Sequence, residues 1–390
     1  MKKLDNKGWK KVRFGEVCRN LNVTVKSPEQ NGYDKVIGLE NIESGSLHIK
    51  TWGNLADGTT FTKTFEPGHV LFGKRRAYLK KAAVAEFKGL CSGDILVFEA
   101  IENVLHPKLL PFIVSSDRFF DFAVKTSAGS LSPRTKFQDL ANFEFSLPPI
   151  DQQEKIAELL WAGDDLIEKE TKLLLNYGSF YQSLLNDLIH PNIEDASKYN
   201  LGQLGQTFGG LSGKTKLDFG RGKPFITYMN VFKNSKIDIN EIDLCEIKPG
   251  EKQNQLKYGD IVFTGSSETP EEVGMASVLL DKPIDDIYLN SFCFAFRLDS
   301  FDVILPEFAR FLFRAQYVRD FMHLHAQGST RFNLSKTTVK EKLNLFIPSK
   351  EKQKEIVSRL EKLLDLEMSL ISKSSQVKNI LHQIINNVIN

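Results

Sequence analysis

The sequence is poor in cysteine, nearly balanced in charge and without a long apolar run. Its four cysteines, Cys18, Cys91, Cys245 and Cys293, are scattered through 390 residues with no Cys-x-x-Cys pair. That spacing argues against a disulfide framework and a zinc site, and it suits a reducing compartment. No stretch approaches the roughly 18 consecutive apolar residues that a membrane-spanning helix needs. The opening Met1-Lys2-Lys3-Leu4-Asp5-Asn6 lacks the apolar core of a secretion signal. The expectation is a cytoplasmic protein with no membrane association. With 51 basic and 49 acidic residues the net charge is only +2, modest for a chain that neutralises nucleic-acid phosphates unaided. A chain that holds DNA on this charge shares the work with a partner.

Catalytic patterns are missing as well. Gly209-Gly210-Leu211-Ser212-Gly213-Lys214-Thr215 has the look of a phosphate-binding loop, but the spacing demands glycine at 208, where the chain has Phe208. It is expected to be a flexible loop. Leu147-Pro148-Pro149-Ile150 lacks the polar first residue and aromatic last residue with which the similar motif of amino-methyltransferases holds a target amine. His323 and His325 lie two apart on an expected helix and so point to different faces, which makes them poor joint metal ligands. No catalytic residue, metal site or cofactor site is expected in this chain.

What is present is an internal repeat, the feature to be sought first. The segment from Asp121 matches the segment from Asp320: Asp121-Phe122 with Asp320-Phe321, and Gly129-Ser130 with Gly328-Ser329. After one inserted residue, Pro148, Gln153, Ile156, Leu160 and Asp165 meet Pro348, Gln353, Ile356, Leu360 and Asp365. Upstream, Phe65–Phe72 and Leu256–Phe263 share a turn followed by an alternating strand. Each half has a variable first part and a shared last part.

Each half ends in a long helix. The first runs over 151–189 with only Gly163 and Gly178 to weaken it, and Pro191 ends it. Apolar residues recur at Ile156, Leu160, Ile167, Leu174, Tyr177, Tyr181, Leu184 and Leu188, and a second row, Leu159, Leu166, Leu173 and Phe180, repeats every seven. The helix at about 350–389 carries Ile356, Leu360, Leu363, Leu370, Val377, Leu381, Ile384 and Val388. A sustained seven-residue period is the pattern of a coiled coil. Packing of each helix on its own domain would also give an apolar stripe. However, forty residues at 1.5 Å rise extend roughly 60 Å, longer than such a domain needs. The expectation is an antiparallel pair with a pseudo-two-fold relation between halves, long enough to span one to two turns of DNA.

The fold class expected is α+β: two mixed α/β domains, 1–150 and 191–348, with the helices at 151–190 and 349–390. Strands are expected at 35–39, 70–72, 82–87, 95–98 and 142–147, and at 225–228, 260–264, 276–280, 292–297 and 343–347. Single helices are expected at Pro107–Val124 and Pro306–Leu324. Strands dominate and are too irregular for βαβ units.

Several polar loops carry chemistry suited to DNA. Gly73–Lys81 packs Lys74, Arg75, Arg76, Lys80, Lys81 and Tyr78 behind a strand, supplying cations for phosphates and guanine edges. The plain alternative is a solvated charged loop. Ser130, Arg134 and Lys136 in one half, and Thr330, Arg331, Asn333 and Lys336 in the other, sit at the same place in the repeat; a capped turn is the alternative there. Thr227, Tyr228 and Asn230, with Ser266 and Ser267, are strand-end groups, and asparagine can pair with adenine.

In order and duplication these segments resemble the specificity subunit of type I restriction–modification enzymes across nearly the whole chain. The residues that carry the resemblance are Gly8-Trp-Lys-Lys-Val-Arg-Phe-Gly-Glu-Val17, Gly68–Leu79 with Cys91-Ser92, Lys223–Val231, Gly259–Glu268, Gly328–Arg331, and the proline-then-helix junctions 147–160 and 347–360. The resemblance implies two target recognition domains, each contacting one half of a bipartite site in double-stranded DNA. It implies helices that act as spacer and dock two modification subunits. S-adenosylmethionine and adenine methylation belong to those partners, and separate restriction subunits translocate and cut. One departure is Pro348-Ser-Lys-Glu-Lys-Gln353, where a second proline and an acidic-Gln pair are usual. A competing reading is a coiled-coil adaptor whose two domains bind proteins; a self-sufficient modification enzyme is disfavoured by the missing cofactor motifs.

Overall fold

A computed structural model of the chain describes residues 8–283 and 286–389, and all side chains among them save that of Ile389. The opening hexapeptide lies outside the described residues. The chain forms two compact units: one comprises the chain up to Leu173 together with that from Leu370, the other Leu174–Ser369.

In the first unit a four-stranded antiparallel sheet has the order Cys18–Leu21, Ile95–Ala100, Val70–Gly73, Ala82–Val84. Its central strands are apolar on both faces because both are covered. Val70, Phe72, Leu96 and Phe98 point into a core with Phe14, Phe112 and Phe119. Leu71, Ile95 and Val97, one residue out of phase, point into a second core with Ile37, Phe65 and Cys91. That second core is closed by a sheet of Gly53–Asn54, Lys35–Ile37, Gly89–Cys91 and Lys63–Phe65, whose middle pair is parallel. Lys10–Arg13 pairs with Glu144–Leu147 beside the junction to the long helix.

The second unit repeats the plan. Its antiparallel sheet runs Gly205–Gly209, Cys293–Leu298, Ile261–Thr264, Ala276–Val278. Ile261, Phe263, Phe294 and Phe296 face one core, and Val262, Cys293 and Ala295 the other. The smaller sheet is Ile242–Cys245, Phe219–Ile226, Tyr288–Leu289, again with one parallel pair. Ser197–Asn200 pairs with Asn344–Ile347. All four cysteine thiols are buried and unpaired.

The expected single helices are each broken in two. Leu110–Ser115 and Asp117–Lys125 are separated by Ser116, whose extended backbone and hydroxyl cap the second piece by accepting from the Phe119 amide at 3.2 Å. Phe112 before the turn and Phe119 and Phe120 after it all enter one core. Pro306–Leu312 and Gln316–His325 are divided likewise, at Ala315. The strand expected at 225–228 ends at Ile226, and Thr227 starts the helix Tyr228–Lys233.

Each long helix begins with a buried glutamine that holds its domain. Gln153 donates to the carbonyls of Val104 (3.1 Å) and Pro148 (2.8 Å) and accepts from the His106 amide (2.8 Å). Gln353 donates to Val303 (2.8 Å) and Pro348 (2.9 Å) and accepts from Leu305 (2.9 Å). The two glutamines that match in the repeat therefore make the same three bonds.

The first long helix is Ile150–Leu188, 39 residues, and the second Lys350–Ile389, 40 residues. Within the first unit, Ile156, Leu160 and Ile167 share a core with Leu381 and Val388. Gly163 permits this closeness, since a Cβ there would lie 2.9 Å from Leu381 Cδ1. Within the second unit, Tyr181, Leu185 and Leu188 share a core with Ile356, Val357 and Leu360, and Tyr177 donates to the Leu363 carbonyl at 2.7 Å. The early part of one helix thus pairs with the late part of the other, as an antiparallel coiled coil does. Leu174, Leu363, Leu370 and Val377 are half-buried. The second heptad row behaves differently from the first: Leu159 (58% exposed), Leu166 (43%), Leu173 (49%) and Phe180 (54%) face solvent.

Candidate nucleic-acid interface

In each unit, one loop is brought against the residues leaving the central strand. In the first, the strand Val70–Gly73 continues into Lys74-Arg75-Arg76, which lies beside the loop 128–134. Arg76 donates its amide to the Pro133 carbonyl (2.8 Å), and Thr135 to that of Lys74 (3.0 Å). Ala128 and Arg134 exchange both backbone bonds, closing the loop. In the second unit, Leu334 donates to the Gly265 carbonyl (2.9 Å), Ser266-Ser267 pairs with Phe332-Asn333, and Gln327 and Asn333 exchange both bonds. The shared glycine is required by the closure: Gly129 and Gly328 have φ +113° and +146°, and a Cβ on Gly328 would lie 2.0 Å from the Arg331 carbonyl oxygen.

These bonds fix a residue-by-residue correspondence. Arg75 and Ser266 occupy one position, Ser132 and Arg331 another, Arg134 and Asn333 a third. The residue just before the other inner strand (Ile95–Ala100 or Cys293–Leu298), Asp94 or Phe292, is a fourth.

The contents differ sharply. In the first unit Arg134 grips Asp94 with two bonds, Nε to Oδ1 at 2.8 Å and Nη2 to Oδ2 at 3.2 Å. Arg75 approaches the same carboxylate at 3.5 Å and donates to Ser132 Oγ at 2.5 Å. The Arg134 hydrogen bonds hold the Asp94 carboxyl below its ordinary pKa against the opposing effect of its partial burial. Arg76, Ser130 and Lys136 are exposed, and Leu131 stands out at the loop tip, 91% exposed. In the second unit the Arg331 guanidinium lies 4.9 Å from the Phe292 ring centre. Arg331, Asn333, Lys336, Ser266 and Phe292 line an open groove of about 490 Å³. Thr330 is exposed at the loop tip.

The model of the type I restriction modification DNA specificity domain matches residues 6–176 and again 193–378. The chain belongs to this family. Both loop clusters fall inside the matched residues, one per specificity domain. The chain is also similar to the specificity subunit of the type I restriction enzyme EcoDI from Escherichia coli, with 28% identity over 190 residues. That match covers 45% of this chain and 40% of the relative. Among solved structures, a chain from work on complex assembly and conformational transition of the type I R-M system superposes with TM-score 0.66 at 19% identity, covering 98% of this chain and 97% of that one. The type I restriction–modification S subunit from M. genitalium gives 0.57 at 12%, covering 100% and 98%. These likenesses show the fold.

Within this specificity-domain frame, several residues singled out from sequence are engaged within the fold or lie beside the clusters. Asn230 is fully buried: it donates to the carbonyls of Asp238 (2.8 Å) and Glu241 (2.7 Å) and accepts from the Asp238 amide (3.1 Å). It brackets a turn and has no edge left for a base. Thr227 caps the helix that contains Asn230, and Tyr228 is half-buried on that helix. Ser267 is buried and bonded to Glu272. Lys80 donates to Asp117 at 2.6 Å, and Asp117 in turn meets His382 at 2.8 Å, so this cation faces the second long helix. Tyr78, 54% exposed, lies in a turn between Arg76 and Lys80, both left-handed at φ +53° and +49°. The loop expected to be flexible is anchored: Lys214, 5% exposed, is clamped by Glu251 at 2.5 Å and donates to the Glu246 carbonyl at 2.6 Å. Asp94, Phe292 and Leu131 were not among the expected site residues. The register of the Gly-Ser loops against the central strands was the signal that could have found the first two.

No group of three or more His, Cys, Asp or Glu side chains among the described residues is arranged to hold a metal ion. None of their helices is long and apolar enough to cross a membrane.

Proposed function

We propose that this chain is the DNA specificity subunit of a type I restriction–modification complex. Each unit contacts one half of a bipartite site in double-stranded DNA through its loop cluster. The observation that carries this is the pair of clusters: one backbone frame, used twice, presents different donor sets, as two unlike half-sites require. Arginine and lysine supply phosphate contacts and base-edge donors, while asparagine and serine add neutral ones.

The chain itself is non-catalytic and cytoplasmic. Its helices set the spacer and dock two modification subunits that carry S-adenosylmethionine and methylate adenine; restriction and translocase subunits join in the full complex. The exposed row Leu159, Leu166, Leu173 and Phe180 supports docking, because apolar side chains at heptad spacing on a helix already paired elsewhere fit a further helix.

The test is co-purification with the methyltransferase, followed by DNA binding and methylome sequencing. Arg134→Glu and Arg331→Glu are each expected to weaken site binding by about ten-fold or more, from about 1–3 kcal/mol per lost bidentate contact. A complex whose DNA affinity ignores both changes would overturn this reading in favour of a protein-binding adaptor.

A further inference from the structure

One position in the repeated frame is occupied by groups of opposite character: Asp94 in the first unit, immediately before Ile95–Ala100, and Phe292 in the second, immediately before Cys293–Leu298. Both hold an arginine of the neighbouring loop. Asp94 engages Nε and Nη2 of Arg134, using one edge of the guanidinium and fixing its plane. Phe292, 47% exposed, supports Arg331 from one face and leaves its donors uncommitted.

We propose that Asp94 and Phe292 are the residues that position the arginines for base discrimination, each acting on its own half-site. The proposal rests on the DNA-facing role of the two clusters. The chemistry of Asp94 favours it. A carboxylate among Lys74, Arg75 and Arg134 repels phosphate and so lowers affinity for any DNA sequence. Its two bonds to Arg134 and its approach to Arg75 instead give those side chains one orientation. An arginine fixed in plane discriminates between base edges, whereas a freely rotating one finds a phosphate on almost any sequence. Phe292 reaches the same end by stacking. An aromatic ring as exposed as this loses apolar contact with water only if something covers it, and Arg331 covers it from one side. The two devices leave different edges: Arg134 keeps its Nη1 end, while Arg331 keeps every N–H. Different contents at one position thus translate into different base edges recognised.

The experiment uses the full chain in complex with its methyltransferase, and a panel of duplexes in which each base of each half-site is replaced in turn. Asp94→Asn is expected to reduce discrimination at one or more positions of a single half-site by about ten-fold, while affinity for unrelated DNA holds or rises. Phe292→Ala is expected to do the same in the other half-site only, and Phe292→Tyr, which keeps the ring, to restore it. A uniform loss of affinity across all duplexes, or discrimination unchanged in both variants, overturns the proposal. Arg134→Glu and Arg331→Glu separate this outcome from failure of the underlying reading. If they abolish site binding while Asp94→Asn and Phe292→Ala leave base preferences intact, the clusters face DNA but these residues do not position the arginines. If the arginine changes themselves leave DNA binding untouched, the DNA-facing role is wrong.

Discussion

The two units fill the same two positions with unlike polar pairs. In the first, His69 at the start of the central strand meets Glu99 on its neighbour at 3.8 Å; in the second, Asp260 meets Arg297 at 2.6 Å. The first residue of each pair also closes the preceding turn, His69 accepting from the Glu66 amide (3.0 Å) and Asp260 from that of Lys257 (2.7 Å). The turn therefore needs an acceptor there and is indifferent to its charge, and the neighbouring strand has supplied the complement. Gln153 and Gln353 show the opposite behaviour, with one residue type making one set of bonds in both units. Backbone demands that only one side chain satisfies are retained, and those that several satisfy have diverged.

The sharpest way to break this comparison is at the pair of the second unit. Asp260 is 1% exposed. Burial raises its pKa, and the bonds from Arg297 oppose that rise. Arg297→Ala strands a buried carboxylate and is expected to destabilise the second unit by about 3–5 kcal/mol, as read by denaturant unfolding. Its folded-state pKa then rises further. A raised pKa stabilises below the unfolded value and the benefit is lost as pH rises, so the defect should shrink toward pH 4 and grow toward pH 8. Glu99→Ala, at a pair 3.8 Å apart whose carboxylate is exposed, is expected to cost under about 1 kcal/mol.

The retained pair tests the other half of the comparison. Gln153→Leu and Gln353→Leu each leave three backbone groups without partners, at about 1–3 kcal/mol apiece before water enters. Both should lose about 3 kcal/mol, measured by the same unfolding. Unequal losses would show that the clamps are equivalent in geometry alone.

Next in size are the exposed helix residues. Leu166→Ser with Leu173→Ser should leave the thermal unfolding of the free chain unchanged and weaken methyltransferase binding about ten-fold, given that burying a leucine contributes about 1.5–3 kcal/mol and these are half-exposed. Titration calorimetry or gel filtration reads this directly.

The smallest effect concerns how each unit holds a long helix. In the first, His48 bridges Glu86 (2.9 Å) and Asp164 (2.7 Å), with Lys50 on Glu168 beside it. Burial of the ring opposes its charge, but bonds from Glu86 and Asp164 and the charge of Glu168 outweigh this and raise its pKa. The contribution is complete below pH 6.5 and lost as pH climbs through the raised value. The second unit uses Arg310 on Glu361 at 3.7 Å, whose cation does not titrate in this range. The protection of amides around residues 46–50, taken relative to the intrinsic base-catalysed exchange rate, should fall modestly between pH 6 and pH 8.5, and His48→Gln should abolish that fall.

The repeat, the long helices and most central strands were legible because they follow from periodicity and spacing. Gln153 and Gln353 could be matched without their bonds being visible, since those join residues about fifty positions apart. The helix break at Ser116 was not legible: Phe112, Phe119 and Phe120 fall where one straight helix would also put them, so no change of period marks the turn. Asn230 misled because the same amide suits an adenine and a tight turn, and only burial decides between them. The second heptad row misled for the related reason that periodicity identifies a face without saying what covers it. Arg314 had no sequence signal at all, although it is deeply buried and ties four backbone carbonyls, of Ala276, Val231, Phe232 and Asn234.

The loops 128–134 and 327–333 are equal in length and closed by main-chain bonds plus one glycine each. Nothing in the closure depends on the side chains between. Point mutations there alter what is presented without disturbing how the loop is built, and an exchange of the whole segment replaces like with like. Such a scaffold lets new preferences arise by drift in a few codons, with each half free to change while the other keeps its target.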